Sequence, residues 1–181
     1  MISKSNIPLT RSVPFSLLVA GSLLIALFSG CYTFKDVNID PRVKTARVNY
    51  IENKARYINP QLSPQLSEKL RQKVNNQTRL TLVQSDDAHY DISGYVSDYS
   101  VTTSGISQQN NQSQASMNRL TVTVTIIFKN NIDPTKNFES PVSRSFEFSS
   151  GLSLQQAEAQ LSETIIQNLT DEIFNKIFSN W

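Results

Sequence analysis

Between Arg119 and Lys129 the chain alternates, with Ile127 as the one departure. Leu120, Val122, Val124, Ile126 and Phe128 fall on one side, and Thr121, Thr123 and Thr125 on the other. A period of two belongs to a strand with one dry face and one wet face, and β-branched threonine suits the wet face of a pleated sheet. Such a strand needs neighbours on both edges and a cover for its apolar face. The fold must therefore contain a sheet with one buried side.

Other segments supply the neighbours and the cover. Lys44 to Ile51 alternates, with Ala46, Val48 and Tyr50 sharing a face, and Leu80 to Val83 forms a short strand before a turn at Ser85-Asp86-Asp87. Tyr90 to Thr103 places Tyr90, Ile92, Gly94 and Val96 on one side, and Tyr95, Tyr99 and Val101 on the other. Gly94 marks either a bulge or a close backbone approach. Phe138 to Phe148 is the last strand, and Pro141 makes it an edge or bulged element. Two amphipathic stretches read as helices. Ser63 serves as N-cap and Pro64 as the first residue of one that carries Leu66, Leu70 and Val74 and ends near Thr78. Ser153 and Gln156 form a capping box for the other, with Leu154, Ala157, Leu161, Ile165, Leu169, Ile173 and Ile177 in one stripe. The expected fold is α+β: a two-layer sandwich of a mainly antiparallel four- to five-stranded sheet with two helices on one face.

The first thirty residues are of another kind. Lys4 and Arg11 precede an uncharged apolar run from Val13 to Phe28, a little short for a membrane span, and Ser29-Gly30-Cys31 follows. Small residues before the sole cysteine fit a bacterial lipoprotein signal. Residues 1–30 are then a cleaved signal peptide, and residues 31–181 are one domain with a short N-terminal tether. Cys31 takes a diacylglycerol, and the new amino terminus is open to a further acyl chain such as palmitate. Two or three chains give stable anchoring. Phe28 departs from the leucine usual at that position. Tyr32, where an aspartate would signal inner-membrane retention, favours the outer membrane.

Charge and composition remove several classes of function. The chain has 17 basic and 15 acidic residues; without Lys4 and Arg11 the mature part is balanced at 15 and 15. A neutral domain with no basic run is a poor nucleic-acid binder. A single cysteine allows no internal disulfide. His89 is the sole histidine, and Asp86 and Asp87 beside it read as a solvated turn, not a metal site. No Gly-x-Ser-x-Gly elbow is present. The expectation is a protein that is not an enzyme and needs neither metal nor cofactor beyond the covalent lipid.

Two further features bear on partners. Ser104 to Ser116 is a polar low-complexity loop without charge, read as the hairpin connection between two long strands. As a surface loop it has no role; as a tip entering a partner it brings amides, from Gln108, Gln109 and Gln112, that cost less to desolvate than charges. Arg119, Lys129, Lys136 and Arg144 lie on or near neighbouring strands. They read either as ordinary solvated sheet charges or as a patch for the phosphates of a lipid ligand.

The order of these segments resembles the LptE family of lipopolysaccharide-assembly lipoproteins, in a divergent form outside the enteric bacteria. The matching residues are Gly30-Cys31-Tyr32-Thr33-Phe34, Asn59-Pro60-Gln61-Leu62-Ser63, Asn118-Arg119-Leu120-Thr121-Val122-Thr123-Val124 and Phe128-Lys129-Asn130. The tail Asp171-Glu172-Ile173-Phe174-Asn175-Lys176 with Asn180-Trp181 matches as well. The resemblance implies a protein lipid-anchored at the periplasmic face of the outer membrane. It implies a tight complex with an LptD-type β-barrel whose lumen it partly plugs, and delivery of lipopolysaccharide to the outer leaflet. It assigns no individual binding residue. The competing expectation is a periplasmic lipoprotein that binds a small ligand or a cell-wall component.

Overall fold

The computed structural model describes residues 39–109 and 112–179. The segment read as a signal peptide, Cys31 and the stretch read as a tether to residue 38 lie outside them. The elements run β1 (Thr45–Val48), β2 (Glu52–Asn53), α1 (Leu62–Gln77), β3 (Thr81–Leu82), β4 (Tyr90–Gln109), β5 (Gln112–Asn130), a 3-10 turn (Pro134–Lys136), β6 (Phe138–Ser149) and α2 (Leu154–Phe178).

One six-stranded sheet holds every strand among the described residues, in the order β3-β1-β4-β5-β6, with β2 also paired to β4. β4, β5 and β6 are antiparallel, whereas β1, β2 and β3 make parallel pairs. The sheet is thus mixed and larger than the four or five strands expected. Strand direction is not written in alternation, and β2 is too short to show any. α1 supplies the crossover that parallel pairing between β1 and β3 requires.

The helices cover one face of the sheet. Leu120, Val122, Val124, Ile126 and Phe128 of β5 are all buried, and so are Val142, Phe146 and Phe148 of β6. Leu66, Leu70 and Val74 of α1 and Ala157, Ile165, Leu169, Ile173 and Ile177 of α2 close over them. Each such aliphatic side chain contributes on the order of 1.5–3 kcal/mol by leaving water. Gly94 answers its two alternatives with close approach: a Cβ there would lie 2.5 Å from the Thr125 carbonyl oxygen.

Three local readings need correction. Tyr50 is 54% exposed, and Ile51 takes the buried place instead. The chain leaves the strand after Val48, and the Ile51 amide donates to Ser67 Oγ, whose hydroxyl donates to the Ser63 carbonyl at 2.7 Å. Ser63 is not the cap of α1. The helix begins at Leu62, and Asn59 prepares its entry by accepting from the Gln61 amide through Oδ1. Pro64 remains in the first turn, where its missing N–H costs nothing. Tyr99 lies on the helix side with Val96, because the pairing with β5 shifts between Val96 and Asp98. Ser97 is the extra residue of this bulge, and it turns the side chains of β4 over as far as Thr103, after which the pairing shifts again. The capping box of Ser153 and Gln156 forms as expected.

Candidate functional site

The segment read as a polar loop is strand. Gly105 pairs with Met117, and the ladder continues through Ile106↔Ala115, Ser107↔Gln114 and Gln108↔Ser113 to Gln109↔Gln112. Polar low-complexity sequence concealed it, because alternation of serine and glutamine carries no hydrophobic signal. β6 stops pairing at Met117↔Ser149, and β1 and β2 reach no further along β4 than Val96. Past these limits β4 and β5 continue as a two-stranded arm. Gln108, Gln109 and Gln112 stand at its end, and residues 110–111 between the strands lie outside the described residues. Between Asp98 and Arg119 the sequence has no charge. Val101, at the root of the arm, faces the helix side but stays 40% exposed, having outrun its cover.

The sheet face away from the helices is polar. Thr121 Oγ1 and Ser145 Oγ lie 2.9 Å apart, and Thr123 Oγ1 and Ser143 Oγ 3.0 Å, each pair sharing a hydrogen bond across one rung of β5 and β6. Ser97 Oγ donates to the Thr123 carbonyl. Lys54 lies 4.7 Å above the ring of Tyr95, whose hydroxyl reaches Glu139 at 3.5 Å. At the end where β4 begins, Arg47 grips Asp91 through two bonds of 3.1 Å and also pairs with Asp86. Burial alone would raise the Asp91 pKa, but hydrogen bonds from Arg47 and Asn49 outweigh it and hold the carboxyl below its ordinary value. His89 accepts the Lys44 amide through Nδ1. No group of three metal-ligating side chains occurs among the described residues.

The four basic residues do not converge. Arg119 and Lys129 share the polar face but stand ten positions apart on β5, which is roughly 33 Å along a strand. Arg119 pairs with Glu147 at 2.9 Å. Arg144 lies on the helix side at the β6 edge and is paired with Glu172 of α2. Lys136 sits in the 3-10 turn, 3.8 Å from Asp133.

Between the N-terminal halves of α1 and α2 runs a groove of about 580 Å³, with Gln65, Glu68 and Lys69 on one wall and Glu163 and Gln167 on the other. Its size is within the range of small-molecule sites. No helix among the described residues is long and apolar enough to cross a membrane.

The profile of the LptE family, described as lipopolysaccharide-assembly, matches residues 43–177. No curated protein matches the sequence significantly. Among solved structures, a hypothetical protein from Chlamydia trachomatis superposes with a TM-score of 0.50 at 8% identity, over 76% of this chain and 99% of that one. A minor lipoprotein from Acinetobacter baumannii gives 0.48 at 17%, over 76% and 94%. The rare lipoprotein B from Shewanella oneidensis gives 0.41 at 14%, over 75% and 92%. At such identities a likeness speaks to the fold alone.

Proposed function

The chain belongs to the LptE, lipopolysaccharide-assembly, family, and from that premise we propose that it is a lipoprotein of the outer membrane that plugs and helps assemble an LptD-type β-barrel. Its lipid is carried on Cys31 at the periplasmic face, and its role in delivering lipopolysaccharide to the outer leaflet is non-enzymatic. The observation that carries this reading is the match over residues 43–177, which spans nearly all of the described domain.

The arm and the polar sheet face beside it support an orientation. Barrel interiors are polar. The uncharged arm offers hydrogen bonds to such a wall without stranding charges in it, and the hydroxyl rungs of the adjoining sheet face extend the polar surface. We place the arm, with Gln108, Gln109 and Gln112, in the lumen. Arg119 and Lys129 on the same sheet face, and Lys136 and Arg144 beyond it, are then separate candidates for lipopolysaccharide phosphates, not one patch.

Photo-crosslinkers at Gln109 and Gln112 should trap a large barrel protein, with Lys69 on α1 as the comparison. Depletion of the protein should lower surface lipopolysaccharide and raise sensitivity to large apolar antibiotics. A depleted strain with normal surface glycolipid and no crosslinked barrel would overturn the proposal. It would leave the groove between the helices as the site of a ligand-binding lipoprotein. Cys31→Ser should abolish labelling by a palmitate analogue.

A further inference from the structure

One end of the domain collects the chain's entry point and a set of unpaired cations. Thr45 pairs with Thr81, Ala46 with both Leu82 and Tyr90, Tyr90 with Asn130, and Phe128 with Phe138. The rings of Tyr90 and Phe178 are 6.4 Å apart. The starts of β1, β3, β4 and β6 and the ends of β5 and α2 therefore lie together, at the opposite end from the arm. Ile39, packed against the core, is where the chain enters, and Asp40 lies in the field of Arg42 and Lys136.

Seven basic residues occupy this end: Arg42, Lys44, Arg47, Arg79, Lys129, Lys136 and Lys176. Five acidic ones accompany them, of which Asp40 is held by Arg42, Asp86 and Asp91 by Arg47, and Asp133 by Lys136. Asp87 is the fifth, and Asp91 also faces Lys129 across the ladder. Lys44, Arg79 and Lys129 are exposed and Lys176 is half-buried, and none of the four makes an ion pair among the described residues. The mature chain is neutral as a whole, so this end is positive at the expense of the rest.

We propose that this end is a docking surface for anionic phospholipid headgroups, which Lys44, Arg79, Lys129 and Lys176 meet when the lipid on Cys31 is in the bilayer. It rests on the lipid anchor assigned above, and it needs no barrel. Residues 31–38 are eight residues and span at most about 28 Å even when fully extended, so the anchor keeps this end close to the headgroups. Basic residues within a screening length of an anionic leaflet are attracted to it, and a cluster of four or more beside an anchor suffices for recognition.

The test uses the mature lipidated chain in vesicles. Cys31 is the sole cysteine and is acylated in that form, so a thiol introduced by Ser85→Cys at the basic end, or by Thr102→Cys near the arm, is the only one to label. A fluorophore at each is read against vesicles that carry a headgroup quencher, made of phosphatidylcholine alone or with phosphatidylglycerol. Quenching at Ser85→Cys should rise several-fold with phosphatidylglycerol, and Thr102→Cys should stay dark to the quencher. About 0.5 M salt, where screening shortens to roughly 4 Å, should remove the rise. So should the combination of Lys44→Gln, Arg79→Gln, Lys129→Gln and Lys176→Gln; the salt arm decides the matter if that variant does not fold. Quenching that ignores lipid charge, is equal at both positions, or appears only when lipopolysaccharide replaces phosphatidylglycerol would overturn the proposal. If Cys31 carried no lipid, the protein would fail to float with the vesicles at all, which is a different result.

Discussion

Tyr99 donates its hydroxyl to Glu158 Oε1 at 2.7 Å, tying β4 to the first turns of α2. Tyr57 stacks on Tyr99 with ring centroids 5.2 Å apart and gives its own hydroxyl to the other carboxylate oxygen at 3.3 Å. Burial, and then the bond to Glu158, raise the Tyr99 pKa above its ordinary value, so the phenol remains a donor throughout the physiological range. Tyr99→Phe should cost about 2 kcal/mol, as expected for a hydrogen bond to a charged group. Tyr57→Phe, with its longer bond and more open position, should cost less than about 1 kcal/mol. Urea unfolding of both variants checks the order.

Val124 is completely buried at the centre of β5. Val124→Asp should lose more than about 3 kcal/mol, because it buries an unpaired charge. Thr123 lies one residue away on the polar face, opposite Asp98. Thr123→Asn should be nearly neutral, and Thr123→Asp should cost up to about 1 kcal/mol through repulsion by that carboxylate. Thermal melts followed by circular dichroism separate the three.

The two helix starts differ in a way that mutation can expose. Ser153 Oγ accepts from the Gln156 amide at 3.3 Å, and Gln156 returns a bond to the Ser153 amide. Ser63 is buried, and its hydroxyl has no partner. Ser153→Ala should cost about 1 kcal/mol. Ser63→Ala should be neutral or slightly stabilising, because it removes an unsatisfied buried group. Chemical denaturation midpoints of the pair decide this.

These two serines also show how far the sequence could be read. Both stand before apolar periodic runs, and both are good caps by residue type. For α2 nothing nearby competes, and the box forms. For α1, Asn59 four residues earlier offers a better-placed side-chain acceptor, and the helix starts sooner. Periodicity identified the core of β5 and the stripe of α2 because burial there follows the element's own period. It misjudged Tyr99, because one extra residue at Ser97 reverses the faces and leaves no compositional trace. It missed the arm for a related reason: pairing there is between main chains, and side-chain polarity is silent about it.

Asp91 fixes the sign of one pH effect. Its folded pKa is lowered, so its contribution is complete above the unfolded value of ~3.9 and is lost as pH falls through the folded value. Asp91→Asn should flatten the decline of stability below about pH 4. Urea midpoints at a series of acid pH values measure the slope, and an unchanged slope would show that the Arg47 pairing does not matter to acid stability.

Among the described residues the arm is joined to the sheet only through its two strands, and its rungs beyond Met117↔Ser149 pair with no third strand. Deleting two residues from each strand would shorten it by roughly 7 Å and keep every remaining side chain on its face, whereas deleting one would invert them. The distance from the domain's body to the arm's tip is therefore a ruler graduated in pairs of residues. It can be reset without repacking a single core side chain.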